Sequence, residues 1–204
     1  MRSSTVVTSQ VTFRSGVEYY SYLTVDGKPV KPETALPRSI RFTSSGEFGS
    51  LLVDLFAVPD AVEFKLHKTS TLRGTPVAIY EFHVAEKKNT FWTLRDGSGQ
   101  TWKPEFRGEV WLEQETGRPL REVIEPIHLP AGCLVDSAKT VTDYAMTPVA
   151  DIGTLLLPVK SESTVCSRAR VASVIGKCST NILVFHDYQK FRTTTRILDA
   201  NQEP

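Results

Sequence analysis

The stretch Gly108-Glu109-Val110-Trp111-Leu112-Glu113-Gln114-Glu115-Thr116-Gly117-Arg118-Pro119-Leu120-Arg121-Glu122-Val123-Ile124 decides the fold. Val110 and Leu112 fall on one side of an extended chain, and Glu109, Trp111 and Glu113 on the other. That period of two marks a strand. Glu115-Thr116-Gly117-Arg118 then places Gly where a β-turn needs it. Leu120 to Leu129 alternates again, with Leu120, Glu122, Ile124 and Pro126 opposing Arg121, Val123, Glu125 and Ile127. Neither strand is apolar on both sides, so the pair is an antiparallel hairpin with one face covered and one face wet.

The same grammar extends in both directions. Strand-like runs cover Ser4 to Phe13, Val17 to Val25, Val62 to Leu72, Pro76 to Val84, Thr90 to Arg95, Thr101 to Phe106, Lys139 to Thr147, Leu155 to Val165 and Asn181 to Phe191. Turns at Arg14-Ser15-Gly16, Asp26-Gly27, Arg73-Gly74-Thr75-Pro76 and Asp96-Gly97-Ser98-Gly99 separate them. The expectation is a mainly β fold: a single large curled antiparallel sheet, an unclosed barrel with an amphipathic helix packed on its concave face. One domain spans 1–204, with a first hairpin and loop over 1–43, a helix over 44–58, an antiparallel meander over 62–191 and a tail over 192–204. No composition shift marks a linker.

The helix is placed at Gly46 to Ala57 by Phe48, Leu51, Leu52, Leu55 and Phe56, which recur at i, i+3, i+4, i+7 and i+8. Ser44 and Glu47 have the spacing of a capping box, and Pro59 stops the run. Burying such side chains is worth about 1.5 to 3 kcal/mol each, so the helix lies against the sheet. Whether it closes a solid core or covers an apolar cavity stays open at this level.

The composition matches an ordinary globular chain: 204 residues, 40% hydrophobic and 23% charged. With 24 basic against 23 acidic residues the net charge is +1, and no global field steers the chain to nucleic acid or anionic membrane. No run approaches the roughly 18 apolar residues of a membrane span, so no membrane-spanning segment is expected. The alternating run after Met1 lacks the apolar core of a signal peptide. Because strand patterning starts near residue 4, a native leader upstream of Met1 is expected to have been removed.

Of three cysteines, Cys166 and Cys178 flank a short loop rich in small and basic residues between two strand-like runs. A disulfide there would close that loop and stabilise by roughly 3 kcal/mol, and would put the protein in an oxidising compartment. The alternative is two free buried thiols. Cys133 reads as a small packed residue.

Chemical motifs are scarce. The chain has no G-x-S-x-G elbow, no H-E-x-x-H helix, no P-loop and no G-x-G-x-x-G before a helix, so no catalytic residue and no cofactor are expected. His67, His83, His128 and His186 lack the short spacing of local metal sites. His186 and Asp187, as consecutive strand residues, would point to opposite faces and not pair. Arg168, Arg170 and Lys177 form a candidate anion patch, against the plainer reading of a solvated loop. Trp102 and Trp111, on neighbouring strands, either stack within the sheet or line a pocket.

Leu72-Arg73-Gly74-Thr75-Pro76-Val77, the hairpin Gly108 to Leu112 with Glu115 to Arg121, and Leu155-Leu156-Leu157-Pro158-Val159 together resemble the outer-membrane lipoprotein carrier type of half-barrel, in particular exported bacterial proteins that share this strand-turn-strand series. The resemblance spans roughly residues 44 to 191. It implies an unclosed antiparallel barrel whose mouth is filled by a helix and which holds an acyl chain or another apolar ligand. The closing strands of that family often carry paired cysteines, as Cys166 and Cys178 would be here.

The resulting expectation is a non-catalytic, periplasmic or otherwise exported protein that binds a lipid or hydrophobic small molecule, lined by Phe48, Leu51, Leu52, Leu55, Phe56, Trp102 and Trp111. The competing expectation is a structural or protein-interaction domain of a larger exported protein, with an envelope protein as partner and no small-molecule ligand.

Overall fold

A computed structural model describes residues 4–15, 17–31, 46–58, 60–90, 92–95, 98–168 and 177–190. The chain begins with a three-stranded sheet, β1 (Val7–Arg14), β2 (Val17–Val25) and the short β3 (Lys28–Pro29). Helix α1 (Ser50–Ala57) follows. Seven antiparallel strands then build the main sheet: β4 (Glu63–Leu72), β5 (Thr75–Val84), β8 (Glu105–Glu113), β9 (Pro119–Ile127), β10 (Val135–Val149), β11 (Gly153–Ser167) and β12 (Cys178–Val184). Their spatial order is β12-β11-β10-β9-β8-β5-β4, an open meander not closed into a barrel. A small ribbon, β6 (Leu94–Arg95) with β7 (Thr101–Trp102), is inserted between β5 and β8. No helix among the described residues is long and apolar enough to cross a membrane.

The deciding hairpin forms as its alternation dictates. Phe106, Gly108 and Val110 are buried on the face that carries the helix, whereas Arg107, Glu109 and Trp111 point the other way. The register pairs Gly108 with Ile124 and Val110 with Glu122. The runs expected at Thr101 to Phe106 and Gly108 to Glu113 divide differently, because Pro104 interrupts the first and β8 starts at Glu105. The expected strand over Thr90 to Arg95 shrinks to Leu94–Arg95. Here buried Asn89 clips the chain instead: its amide donates to the carbonyls of Trp92 and Pro104, and its carbonyl accepts from the Trp92 amide.

The helix is shorter than its apolar stripe. Gly46 and Gly49 hold positive φ angles of 99° and 151°, so 46–49 is a turn and helical geometry begins at Ser50. No side chain of its own caps α1. Of the expected capping box, Ser44 lies outside the described residues, as does the stop at Pro59, and Glu47 is buried against the sheet. Leu51 and Leu55 enter a core with Ala61, Val62, Phe82, Val84, Trp92, Phe106 and Ile124. A second cluster joins Leu94, Cys133 and Val135, with Trp102 and Val165 packed against it.

The opposite face is a lattice of ion pairs: His67 with Glu81, Arg107 with Glu125, and Arg73 and Arg121 both on Asp143. Glu105 is held by His83 and His128 at 2.6 and 3.0 Å, and those two hydrogen bonds, His128's first, pull its carboxyl below the ordinary carboxylate range. Cys166 and Cys178 are cross-strand partners on β11 and β12 and are joined as a disulfide.

Gly108 has no room for a side chain. A Cβ there would meet the Val123 carbonyl oxygen at 1.8 Å and the Phe82 ring at 2.5 Å. A backbone oxygen on the neighbouring strand cannot swing aside, so Gly108→Ala is expected to lower stability by about 3 kcal/mol, the upper range of overpacking. Chemical denaturation checks this; a variant within about 1 kcal/mol of the parent would show that β8 and β9 can part locally.

Candidate functional site

The helix-bearing face of the main sheet is chemically divided. Toward β4, β5 and β8 it is aromatic: Phe56 stacks on Phe64 at 5.6 Å, Phe64 meets Phe82 at 6.0 Å, and Phe82 meets Phe106 at 6.2 Å. Beside this stack, Leu52, Val53, Phe56 and Ala57 of α1 face Gly117 and Pro119 of the β8–β9 turn across an open, apolar hollow of about 540 Å³. That size falls within the range of roughly 300 to 1,000 Å³ typical of small-molecule sites. Val53 and Phe56 are each 49% exposed, so the hollow keeps apolar surface in contact with solvent.

Toward β9, β10 and β11 the same face is polar and sealed. Thr140 bonds Ser163 at 2.9 Å, and Thr142 bonds Ser161 at 3.1 Å, each pair facing across the β10–β11 register. Ser163 also donates to Glu47 Oε1 at 3.0 Å, reaching the turn that precedes α1. Tyr144 donates to Glu122 Oε2 at 3.1 Å. Glu47 and Glu122 are 1% and 2% exposed. Glu122 Oε1 has no hydrogen-bond partner among the described residues. Burial pushes the Glu122 carboxyl up to about 7, and the charge of Glu47 adds to the rise while the Tyr144 hydrogen bond opposes it. Burial, with Glu122 beside it, also raises Tyr144 well above the ordinary phenol value.

A third carboxylate organises the approach. Glu18 of β2 accepts hydrogen bonds from the amides of Gly46, Gly49 and Ser50 at 2.8, 3.1 and 3.1 Å, and from the Ser50 hydroxyl at 2.9 Å. Tyr20 donates its phenol to the same group, and burial first, then this bond, raises the phenol above its ordinary value.

The expected lining residues are only partly brought together. Leu52 and Phe56 bound the hollow, whereas Leu51 and Leu55 are spent on the core. Phe48 joins an aromatic cluster with Phe13, Phe185 and Tyr188 at 5.7 to 6.2 Å. Trp102 packs in the second cluster. Trp111 lies on the ion-paired face, where it donates to Glu109 at 2.8 Å and carries the Arg121 guanidinium over its ring at 5.4 Å. In the candidate anion patch, Arg168 donates to the Ala131 carbonyl, Lys177 pairs its backbone with Ser167, and Arg170 lies outside the described residues.

The geometry corrects the reading of His186 and Asp187. They do pair, at 2.7 Å, because β12 ends at Val184 and Asp187 adopts a φ of 57°, which breaks strand alternation. Among the described residues, no group of His, Cys, Asp or Glu side chains is arranged to hold a metal ion. Sequence reasoning missed Glu18 and Glu122, and read Glu47 only as a capping residue. A glutamate on an alternating strand carries no mark of which face will be covered.

No protein-family model, no curated protein and no solved structure matches this chain.

The Glu122 carboxyl fixes a sign for pH dependence. Its folded value, about 7, lies above the ordinary 4.5. Its contribution is therefore fully present below about pH 4.5 and is lost as pH rises to about 7. The parent is expected to lose on the order of 3 kcal/mol across that window relative to Glu122→Gln, which keeps the buried shape without the titration. Parallel urea titrations at pH 4.5 and 7.5 measure the difference, and parallel behaviour of the two proteins would remove Glu122 as the cause.

Proposed function

We propose that this chain is a non-catalytic binding protein of an oxidising envelope compartment, the periplasm in bacteria, which takes a lipid or other apolar ligand between α1 and the β8–β9 turn. The observation that carries this reading is the hollow of about 540 Å³ bounded by Leu52, Val53, Phe56 and Ala57 on one side and Gly117 and Pro119 on the other. Its walls are apolar and partly in water, so an acyl chain laid there would remove surface from solvent at about 25 cal/mol per Å². The Cys166–Cys178 disulfide supports an oxidising compartment. The half-barrel resemblance supports an acyl chain as the ligand class, and an open sheet bearing one helix agrees with that architecture.

A second reading, a protein-interaction domain, is favoured by one feature of the edges. β4 is guarded by Lys65, His67, Lys68 and a bulge, as solvent-facing edges usually are. At the other end of the order, β12 carries no charge from Ser179 to Val184, Ile182 and Val184 are exposed, and no further strand pairs with it among the described residues. Such an edge can accept another chain's strand.

Titration with the fluorescent probe N-phenyl-1-naphthylamine separates the readings. Micromolar binding, displaced by a free fatty acid and weakened at least about tenfold by Phe56→Asp, is the expected result. Native mass spectrometry of protein recovered from an envelope extract should show a small co-purifying mass. Absence of probe binding together with recovery of a protein partner would overturn the first reading in favour of the second.

A further inference from the structure

Glu47 and Glu122 come from separate elements, the turn 46–49 before α1 and strand β9, and meet in the sealed polar half of the helix-bearing face. Among the described residues, two sets of contacts hold the turn down. Outside, Glu18 of β2 binds the amides of Gly46, Gly49 and Ser50. Inside, Glu47 accepts from Ser163 of β11. The groups facing Glu122 are Tyr144 of β10, which donates to Oε2, the neutral hydroxyls of Thr142 and Ser161, and Glu47 from above. On the flanking strands its register partners are Val110 of β8 and Thr142 of β10, neither of which carries charge. Glu122 makes no ion pair among the described residues, and one of its oxygens is buried without a donor. An ionised carboxylate in that position lacks both water and a counter-charge, and it repels the carboxylate that anchors the turn.

We propose that Glu122 and Glu47 form a proton-controlled latch: with Glu122 protonated the turn 46–49 stays seated on the sheet, and ionisation of Glu122 releases the turn and the first turn of α1. Glu18 keeps its hold on the helix start, so the released piece remains attached to the β1–β2–β3 sheet. α1 also forms one wall of the hollow, so release widens access to it; that consequence, but not the latch, rests on the binding role proposed above. The raised titration of Glu122, about 7, puts the change in a range that envelopes and acidified compartments cross.

Amide hydrogen exchange on the ligand-free protein tests the latch without any ligand. The reporters are the amides of Leu51 and Val53, which bond the carbonyls of Gly46 and Gly49. After correction for intrinsic rates, their protection is expected to fall at least about tenfold between pH 5.5 and 8.5. Their exchange should also depend on urea more weakly than that of β5 and β8 amides, the mark of a local opening. Glu122→Gln should abolish the pH step. Glu47→Gln, on the other element, should shrink it, and serves alone if the first variant does not fold. A urea slope equal to that of the sheet amides, an absent pH step, or a step that survives in the variants would overturn the latch. Probe binding that fails while the pH step persists would remove the ligand reading and leave the latch standing.

Discussion

The carboxylate of Glu18 at the start of α1 is the contact on which the arrangement depends. An eight-residue helix with no acidic residue in its first turn and no side-chain cap of its own would not persist in water. Its first amides point out of the helix with no intrahelical partner. Glu18 takes three of the amides around that end and brings negative charge to the positive end of the helix dipole. The cross-strand partner of Glu18 is Phe13, which shares its face and sets its ring against Phe48. One hairpin thus delivers a carboxylate and an aromatic ring to the same turn. Once 46–49 is fixed, Leu51 and Leu55 are aimed at Phe82 and Phe106, and the core closes.

The division of the helix-bearing face follows from what lies over it. Where α1 covers β5 and β8, the strands supply Phe82, Val84 and Phe106, and transfer from water drives the contact. Over β9 to β11, which the turn 46–49 reaches through Glu47, the strands supply hydroxyls, whose burial is tolerable because they bond one another across the register. Glu122 is the exception, since its second oxygen has no donor. The far face carries the ordinary burden of charge, spread over pairs that are mostly half exposed. Such pairs add little individually, and the same face also buries Val77, Ile79 and Val123.

Much of this was legible in the residues. The hairpin at 108–127 needed only alternation and a Gly-bearing turn, both local properties. The disulfide pairing was legible because Cys166 and Cys178 bracket one loop. The helix was legible in kind but not in extent, since its stripe includes Phe48 and its geometry starts at Ser50. What stops it short is a pair of glycines and a carboxylate 31 positions back in the chain, and no window around the helix contains that carboxylate. Thr140-Val141-Thr142-Asp143-Tyr144 shows the limit of period-two reasoning. Its alternation is correct, yet the threonines are the covered side and Asp143 faces outward to Arg73 and Arg121. Alternation separates two faces without saying which will be covered when both carry polar groups.

The helix stripe itself argues for an occupant. Side chains four apart stack in rows along a helix, and α1 carries two: Leu51 with Leu55, and Leu52 with Phe56. A flat sheet face can fully cover only one such row. The first is taken by the core. The second is only partly covered: Phe56 stacks on Phe64, and among the described residues the rest of the row, with Leu52, borders the hollow. Polar residues at those two positions would cost the Phe56–Phe64 stack but would leave the core around Leu51 and Leu55 intact. The apolar surface they leave on the hollow contributes little to the folded chain by itself. It becomes favourable when something apolar lies against it, and this asymmetry between the two rows supports the proposed binding role alongside the hollow itself.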